Sequence, residues 1–150
     1  MMMNRSRRFC VAAISLTLAW WLLHPYVAGI LCVRGDEFFR NGQPQEAQRY
    51  YARAVAVNAD YEPAVDRLAL ATLQSRGAAN LSAAYAAAER YVERHPAATP
   101  IQIDRALLLY ALHDGRAVAA FGELWRLLGD RRFLRLAQIA GGRQREKTHS

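Results

Sequence analysis

The side chains of this sequence that most often carry out chemistry are its four histidines, its two cysteines and its acidic residues. The histidines are scattered, and neither cysteine stands at a metal-ligand spacing from any of them. No two carboxylates are spaced to share one helical face in an apolar setting, and the signatures of nucleotide-binding loops, zinc proteases and serine hydrolases do not occur. The sequence therefore predicts no catalytic residue, metal or cofactor, and indicates that the protein is not an enzyme. An enzyme with an unrecognised site stays open as an alternative.

The positive charge of the chain, a formal +7, is concentrated at its two ends. Three arginines precede residue 9, and residues 131–150 carry six basic residues against one acidic residue. Residues 34–130 hold eleven basic and twelve acidic residues, so this part is close to neutral. A protein that reads nucleic acid would show a basic face on its folded part. The distribution argues against a nucleic-acid partner and favours a membrane protein, and no small-molecule substrate is evident.

Residues 9–33 form a hydrophobic run, FCVAAISLTLAWWLLHPYVAGILCV, without Lys, Arg, Asp or Glu. As a helix, the 25 residues would span roughly 37 Å, which exceeds the ~30 Å hydrocarbon core of a bilayer. Trp20, Trp21 and Tyr26 cluster toward the far end of the run, where aromatic side chains anchor a helix at the membrane interface. The run is therefore predicted to be a transmembrane anchor that binds the lipid bilayer.

The charges that flank this run predict its orientation. Arg5, Arg7 and Arg8 lie immediately before it, whereas residues 34–40 are charge-balanced. By the positive-inside rule, residues 1–8 form a cytoplasmic basic N-terminus and everything after the run lies on the periplasmic or extracytoplasmic side. The expected localisation is the cell (inner) membrane, with a single pass.

A cleaved signal peptide is the main competing interpretation of the run. Val27-Ala28-Gly29 supplies small residues at which cleavage near Gly29 would be possible. The mature chain would then be a secreted or periplasmic soluble peptide-binding protein. A third alternative is that the hydrophobic segment packs against other membrane helices.

Residues 34–140 are predicted to be a helical repeat domain without strands, since alanine is abundant and no long alternating apolar run occurs. Turn glycines recur at spacings of 35 and 38 residues, at Gly42, Gly77 and Gly115. Small residues of the following helices recur at spacings of 37 and 36, at Ala47, Ala84 and Ala120. A short helix over 131–140 is predicted to cap the last pair. Residues 141–150, which begin with two glycines, are predicted to be a disordered basic tail.

The first unit resembles the tetratricopeptide repeat family, whose repeat is ~34 residues long. Counted from Ala28, the family's small and aromatic residues of the first helix fall on Gly35 and Phe38, and those of the second helix fall on Ala47 and Tyr51. The second and third units are degenerate, and the resemblance covers 28–132. It implies a fold of a transmembrane helix, about three helix-turn-helix repeats of this type and a short capping helix.

The resemblance also implies a concave surface, lined by the first helix of each pair, that binds a partner protein. The predicted partner-binding residues comprise five that face this groove and one exposed aromatic, namely Asp36, Phe39, Arg40, Asp66, Arg105 and Tyr50. The alternative for each is a role in the core or as a solvated charge. The predicted function is a non-catalytic scaffold, or an accessory subunit of a membrane-associated complex, that binds its partner through the repeat groove or through exposed aromatics.

Overall fold

The computed structural model describes the backbone of residues 3–75 and 77–148, and their side chains except for 3–14, 16, 18, 20–22, 78–79 and 145–148. Within these backbone ranges the chain forms seven α-helices and no β-strand, which confirms the predicted all-α fold. The helices are α1 (Met3–Arg40), α2 (Pro44–Val57), α3 (Glu62–Ser75), α4 (Ala78–Arg94), α5 (Thr99–Ala111), α6 (Arg116–Leu128) and α7 (Arg131–Thr148).

Six of the helices form three hairpins, whose turns lie at the predicted positions. Gly42 follows α1 with a φ of +72°, a left-handed conformation that suits glycine, and Pro44 opens α2 where its missing N–H costs little. After α5, His113 takes a left-handed conformation with a φ of 56°. In the α1–α2 turn, Gly42 thus follows the end of α1 and Pro44 starts α2. In the α5–α6 turn, His113 takes the left-handed conformation that glycine takes in the first turn.

The hairpins stack through their first helices. α3 contacts both α1 and α5, α2 packs on α3, and α4 packs on α5. This arrangement is that of a helical repeat, in which each unit buries its apolar face against its neighbour. It agrees with the predicted succession of helix-turn-helix units.

Small side chains let the helices approach closely. Ala28, Ala47 and Ala54 are fully buried in the core between α1, α2 and α3. Gly35 packs directly against the ring of Tyr51, which is itself 1% exposed. The predicted close approach at Gly35 and Ala47, with Tyr51 filling the space beside them, is confirmed.

α1 is continuous over 38 residues, so the hydrophobic N-terminal run leads directly into the first repeat helix. A search of the described residues finds no helix long and apolar enough to cross a membrane. The side chains of Trp20 and Trp21 lie outside the described residues, whereas Tyr26 is described and exposed. The transmembrane anchor at 9–33 therefore stays a prediction.

The last helix is longer than predicted. α7 runs through Gly141 and Gly142 to Thr148, so the expected end at residue 140 and the expected disorder from 141 onward are wrong as far as Thr148. Packing explains the difference. Ala140 is buried, the Gly141 backbone lies beside Val118, and the Arg143 guanidinium stacks over the ring of Tyr110 at 4.8 Å. These contacts with α5 and α6 offset the low helix propensity of two glycines.

Candidate functional site

The described part of α1 carries a row of exposed apolar side chains. We call this row the α1 stripe; its members are Leu23, Tyr26, Val27, Ile30 and Val33. They recur three or four residues apart, which places them on one side of the helix. Tyr26 is 68% exposed and Val33 is 56% exposed. An uninterrupted apolar row of this kind marks a surface that another molecule covers.

A groove lies beside the α1 stripe. It is lined by Pro25, Tyr26, Gly29, Ile30, Val33, Arg34, Glu37 and Tyr61. Tyr61 belongs to the connection between α2 and α3, and its hydroxyl would lie 3.7 Å from a Cβ added at Gly29. The absence of a side chain at Gly29 therefore leaves the floor of the groove open. At the other end an ion pair between Arg34 and Glu37, 3.0 Å long, gives the groove a polar rim.

Asp36, predicted to bind a partner, is engaged within the fold. Its carboxylate accepts a hydrogen bond of 2.8 Å from the Tyr51 hydroxyl and pairs with the Arg67 guanidinium at 3.1 Å. Burial and the neighbouring carboxylate raise the pKa of Tyr51, so its hydroxyl stays protonated and continues to donate. These bonds tie α1 to α2 and α3, and they explain the aspartate at this position without a partner.

Three other predicted residues lie close to Asp36 along the first hairpin. Phe39 is half-buried against the core, and the exposed Arg40 donates from Nε to the Asp36 carbonyl at 3.2 Å. Tyr50 stacks on Phe38 with ring centroids 5.1 Å apart. Of the adjacent tyrosines, Tyr51 is thus the core residue and Tyr50 the outer one.

Asp66 forms a carboxylate pair that the sequence analysis missed. It lies on α3 and hydrogen-bonds the side chain of Asp104 on α5, which is only 5% exposed. Burial first, and then the charge and hydrogen bond of Asp66, raise the pKa of Asp104 to about 8. Asp104 therefore keeps a proton near neutral pH and hydrogen-bonds to Asp66. The second oxygen of Asp104, Oδ2, is buried without a hydrogen bond to any described residue.

A sequence signal for this pair was present. Asp66 and Asp104 are 38 residues apart, the same spacing as Gly77 and Gly115, so they occupy equivalent positions in successive repeats. Equivalent positions on neighbouring first helices face each other when the repeats stack. A search within single helices does not detect such a pair.

Arg105, the last predicted groove residue, is held by two carboxylates. It pairs with Glu89 of α4 at 3.4 Å and with Glu123 of α6 at 3.9 Å. Its position next to Asp104 in the sequence does not bring it into the Asp66 pair, because adjacent helical residues point in different directions. The predicted polar residues Asp36, Asp66 and Arg105 therefore fall into separate clusters rather than one site.

The described residues include no group of three or more His, Cys, Asp or Glu side chains that would hold a metal ion. Perturbed carboxylates such as the Asp66–Asp104 pair occur in active sites, but structural pairs shift in the same way. Asp104 is buried between helices and does not line the groove beside the α1 stripe. The apolar groove is the better candidate for a functional surface.

Fold and surfaces together define an all-α protein of stacked helical hairpins with an exposed apolar groove along its first helix. No protein-family model matches the sequence, and a search of curated proteins finds no match to it.

Proposed function

We propose that this protein is a non-catalytic scaffold, or an accessory subunit of a membrane-associated complex, that holds a partner protein against α1. Residues 9–33 anchor it in the cell membrane, and the helical domain, which resembles the tetratricopeptide repeat family, lies on the periplasmic side. The observation that carries the proposal is the α1 stripe, which is exposed beside an open groove and forms the last part of the hydrophobic run of residues 9–33.

The polar residues of the repeat domain support α1 as the contact surface. Asp36, Asp66 and Arg105 each have partners within the fold, so a ligand would have to compete with existing bonds. The members of the α1 stripe lie in the last part of the predicted anchor, where the helix leaves the bilayer, and no side chain in the described part of the chain covers them, so they gain when a partner does. Burying one such side chain completely stabilises a complex by about 1.5–3 kcal/mol. A partner helix or strand laid along the groove is the simplest way to cover several at once.

A secreted, soluble peptide-binding protein is the second candidate. Cleavage near Gly29 would remove Leu23, Tyr26 and Val27 from the stripe and leave Ile30 and Val33 at the new N-terminus. Binding would then fall to the repeat groove. The mass of the mature chain separates the two candidates, because only cleavage shortens it.

The proposal is tested by affinity purification of the tagged full chain from membranes in mild detergent. A stoichiometric set of membrane partners is expected to co-elute with the natural sequence. For the double variant Ile30→Ser/Val33→Ser, the amount of partner recovered per chain is expected to fall at least about tenfold, since each change removes roughly 1 kcal/mol or more of apolar burial. Quantitative mass spectrometry of the eluate measures the ratio.

Two single variants serve as controls for this purification. Ala86→Ser changes an exposed apolar residue of α4 that lies outside the α1 stripe and its groove, and is expected to retain the partner. Leu70→Ser lies on the exposed side of α3, and a loss confined to it would move the contact to the repeat groove. Recovery of a shortened chain alone from the soluble fraction would contradict the anchored scaffold altogether.

A further inference from the structure

A second exposed apolar surface lies at the opposite end of the chain. Three residues of the last turn of α6, Trp125, Leu127 and Leu128, are 38%, 62% and 43% exposed. Ile139 of α7 is also exposed. Soluble surfaces carry single exposed leucines without consequence, but a cluster that includes tryptophan marks a contact surface. This cluster is separate from the α1 stripe, because its residues lie on α6 and α7.

The connection between α6 and α7 fixes these side chains close to the start of α7. Gly129 ends α6 in a left-handed conformation with a φ of 69°, and its N–H bonds the Trp125 carbonyl at 2.8 Å. Asp130 then accepts a hydrogen bond of 2.9 Å from the backbone N–H of Arg132. The chain thus turns within two residues, and the apolar end of α6 adjoins the first turns of α7.

Those first turns are strongly basic. Arg131 and Arg135 of α7, together with Arg126 at the end of α6, are exposed and form no ion pair with any residue in the described part of the chain. Arg132 has only a 3.9 Å contact with Asp130. By contrast, six other arginines are paired with a carboxylate within 3.4 Å, namely Arg34, Arg49, Arg67, Arg94, Arg105 and Arg116. Arg40, Arg53, Arg90 and Arg143 also have no carboxylate partner among the described residues, but they are dispersed along the chain. Arg126, Arg131, Arg132 and Arg135 fall within ten residues, next to the apolar cluster.

We propose that the α6–α7 tip, made of Trp125, Leu127, Leu128, Arg131 and Arg135, binds an anionic lipid surface. Tryptophan and leucine enter the boundary between headgroups and acyl chains, while arginine reaches outward to phosphate. Clustered arginines add attraction to anionic headgroups that a neutral lipid does not supply. A nucleic acid would use the charges and the indole, but it offers nothing to cover the two leucines and Ile139. The aliphatic share of the tip favours lipid.

The test uses the full chain, held in nanodiscs of neutral phosphatidylcholine so that the N-terminal hydrophobic segment is already covered. Trp20→Phe and Trp21→Phe leave Trp125 as the only tryptophan of the three in the chain. Vesicles that contain brominated phosphatidylglycerol are titrated in, and Trp125 emission is recorded. A blue shift with quenching is expected for these vesicles and not for brominated phosphatidylcholine vesicles. Salt at about 1 M, where the Debye length is ~3 Å, is expected to reverse most of it.

A charge variant and a matched control decide the result. Arg131→Gln/Arg135→Gln is expected to weaken the apparent affinity at least about tenfold. Arg90→Gln removes an exposed arginine of α4 that, among the described residues, hydrogen-bonds only the Ala86 carbonyl of its own helix, and this variant is expected to bind as the natural sequence does. Far-UV circular dichroism checks that each variant is folded. The proposal is overturned by any of three results: no change in Trp125 emission in a folded chain, equal affinities for Arg131→Gln/Arg135→Gln and Arg90→Gln, or a blue shift with single-stranded DNA but not with vesicles.

Discussion

Asp104→Asn is expected to raise the free energy of unfolding by about 2 kcal/mol at pH 7 to 8, because it removes the cost of keeping a buried carboxyl group protonated or charged. Asparagine has nearly the shape of a protonated aspartic acid and still offers a donor to Asp66. The natural residue must bind a proton at a pH far above its usual pKa of 3.8, or be ionised beside Asp66. Either state destabilises the fold, and the variant avoids both.

The same pair predicts how stability depends on pH. A carboxyl group whose pKa rises on folding binds more protons in the folded state than in the unfolded state. The stabilisation from Asp104 is therefore complete below its unfolded-state pKa of 3.8 and is lost as the pH rises toward its folded-state pKa of about 8. Within that window the free energy of unfolding is expected to fall by up to about 1.4 kcal/mol per pH unit. Above the window this contribution no longer changes with pH.

Chemical denaturation of the full chain in mild detergent, followed by far-UV circular dichroism from pH 4 to pH 9, measures both effects. The Asp104→Asn curve is expected to be nearly flat where the natural one falls. Glu93→Gln removes an exposed carboxylate from α4 and is expected to leave the slope unchanged. Parallel curves for the natural sequence and Asp104→Asn would show that Asp104 titrates alike in the folded and unfolded states, and would contradict a proton held on Asp104 in the fold.

The Asp66–Asp104 pair also marks the limit of what the sequence reveals. Helices and hairpins were predictable because Gly42, Pro44 and their counterparts act within a few residues of where they stand. The polar pairs were not, since each forms between helices that come together only when repeats stack. Asp36 was predicted to face a partner from the register of the repeat, whereas its ion-pair partner within the fold, Arg67, comes from another helix.

The end of α7 illustrates the same division between local and tertiary effects. Gly141-Gly142 is a breaker signal by local propensity, and each glycine costs a helix about 1 kcal/mol relative to alanine. The packing of Ala140 and Arg143 on the preceding helices is absent from any local window. Conversely, Gly35 and Tyr51 were predictable as a contact because the repeat pattern itself encodes which positions of two adjacent helices meet.

The contact between Gly35 and the Tyr51 ring predicts the second large effect on stability. Gly35→Ala is expected to destabilise the protein by about 1–3 kcal/mol, because a methyl group there overlaps a side chain that has no room to move. A Cβ at Gly35 would lie 2.7 Å from Cδ1 and 2.9 Å from Cζ of Tyr51, and closer still to Cε1. Tyr51 is 1% exposed and bonded to Asp36, so its ring cannot turn away without losing that bond.

Gly122→Ala is the matched control, since Gly122 also lies inside a helix but a Cβ there would meet nothing within 4 Å. Alanine is expected to stabilise α6 by about 0.5–1 kcal/mol through its higher helix propensity. The two substitutions are chemically identical and should move the denaturation midpoint in opposite directions. A further variant, Tyr51→Leu, tests the cause: if the ring is the obstacle, Gly35→Ala costs less in its presence than in the natural background. If Gly35→Ala destabilised the protein equally with Tyr51 and with leucine in its place, the Tyr51 ring would not be the obstacle, and the close approach of α1 to α2 would not explain the glycine.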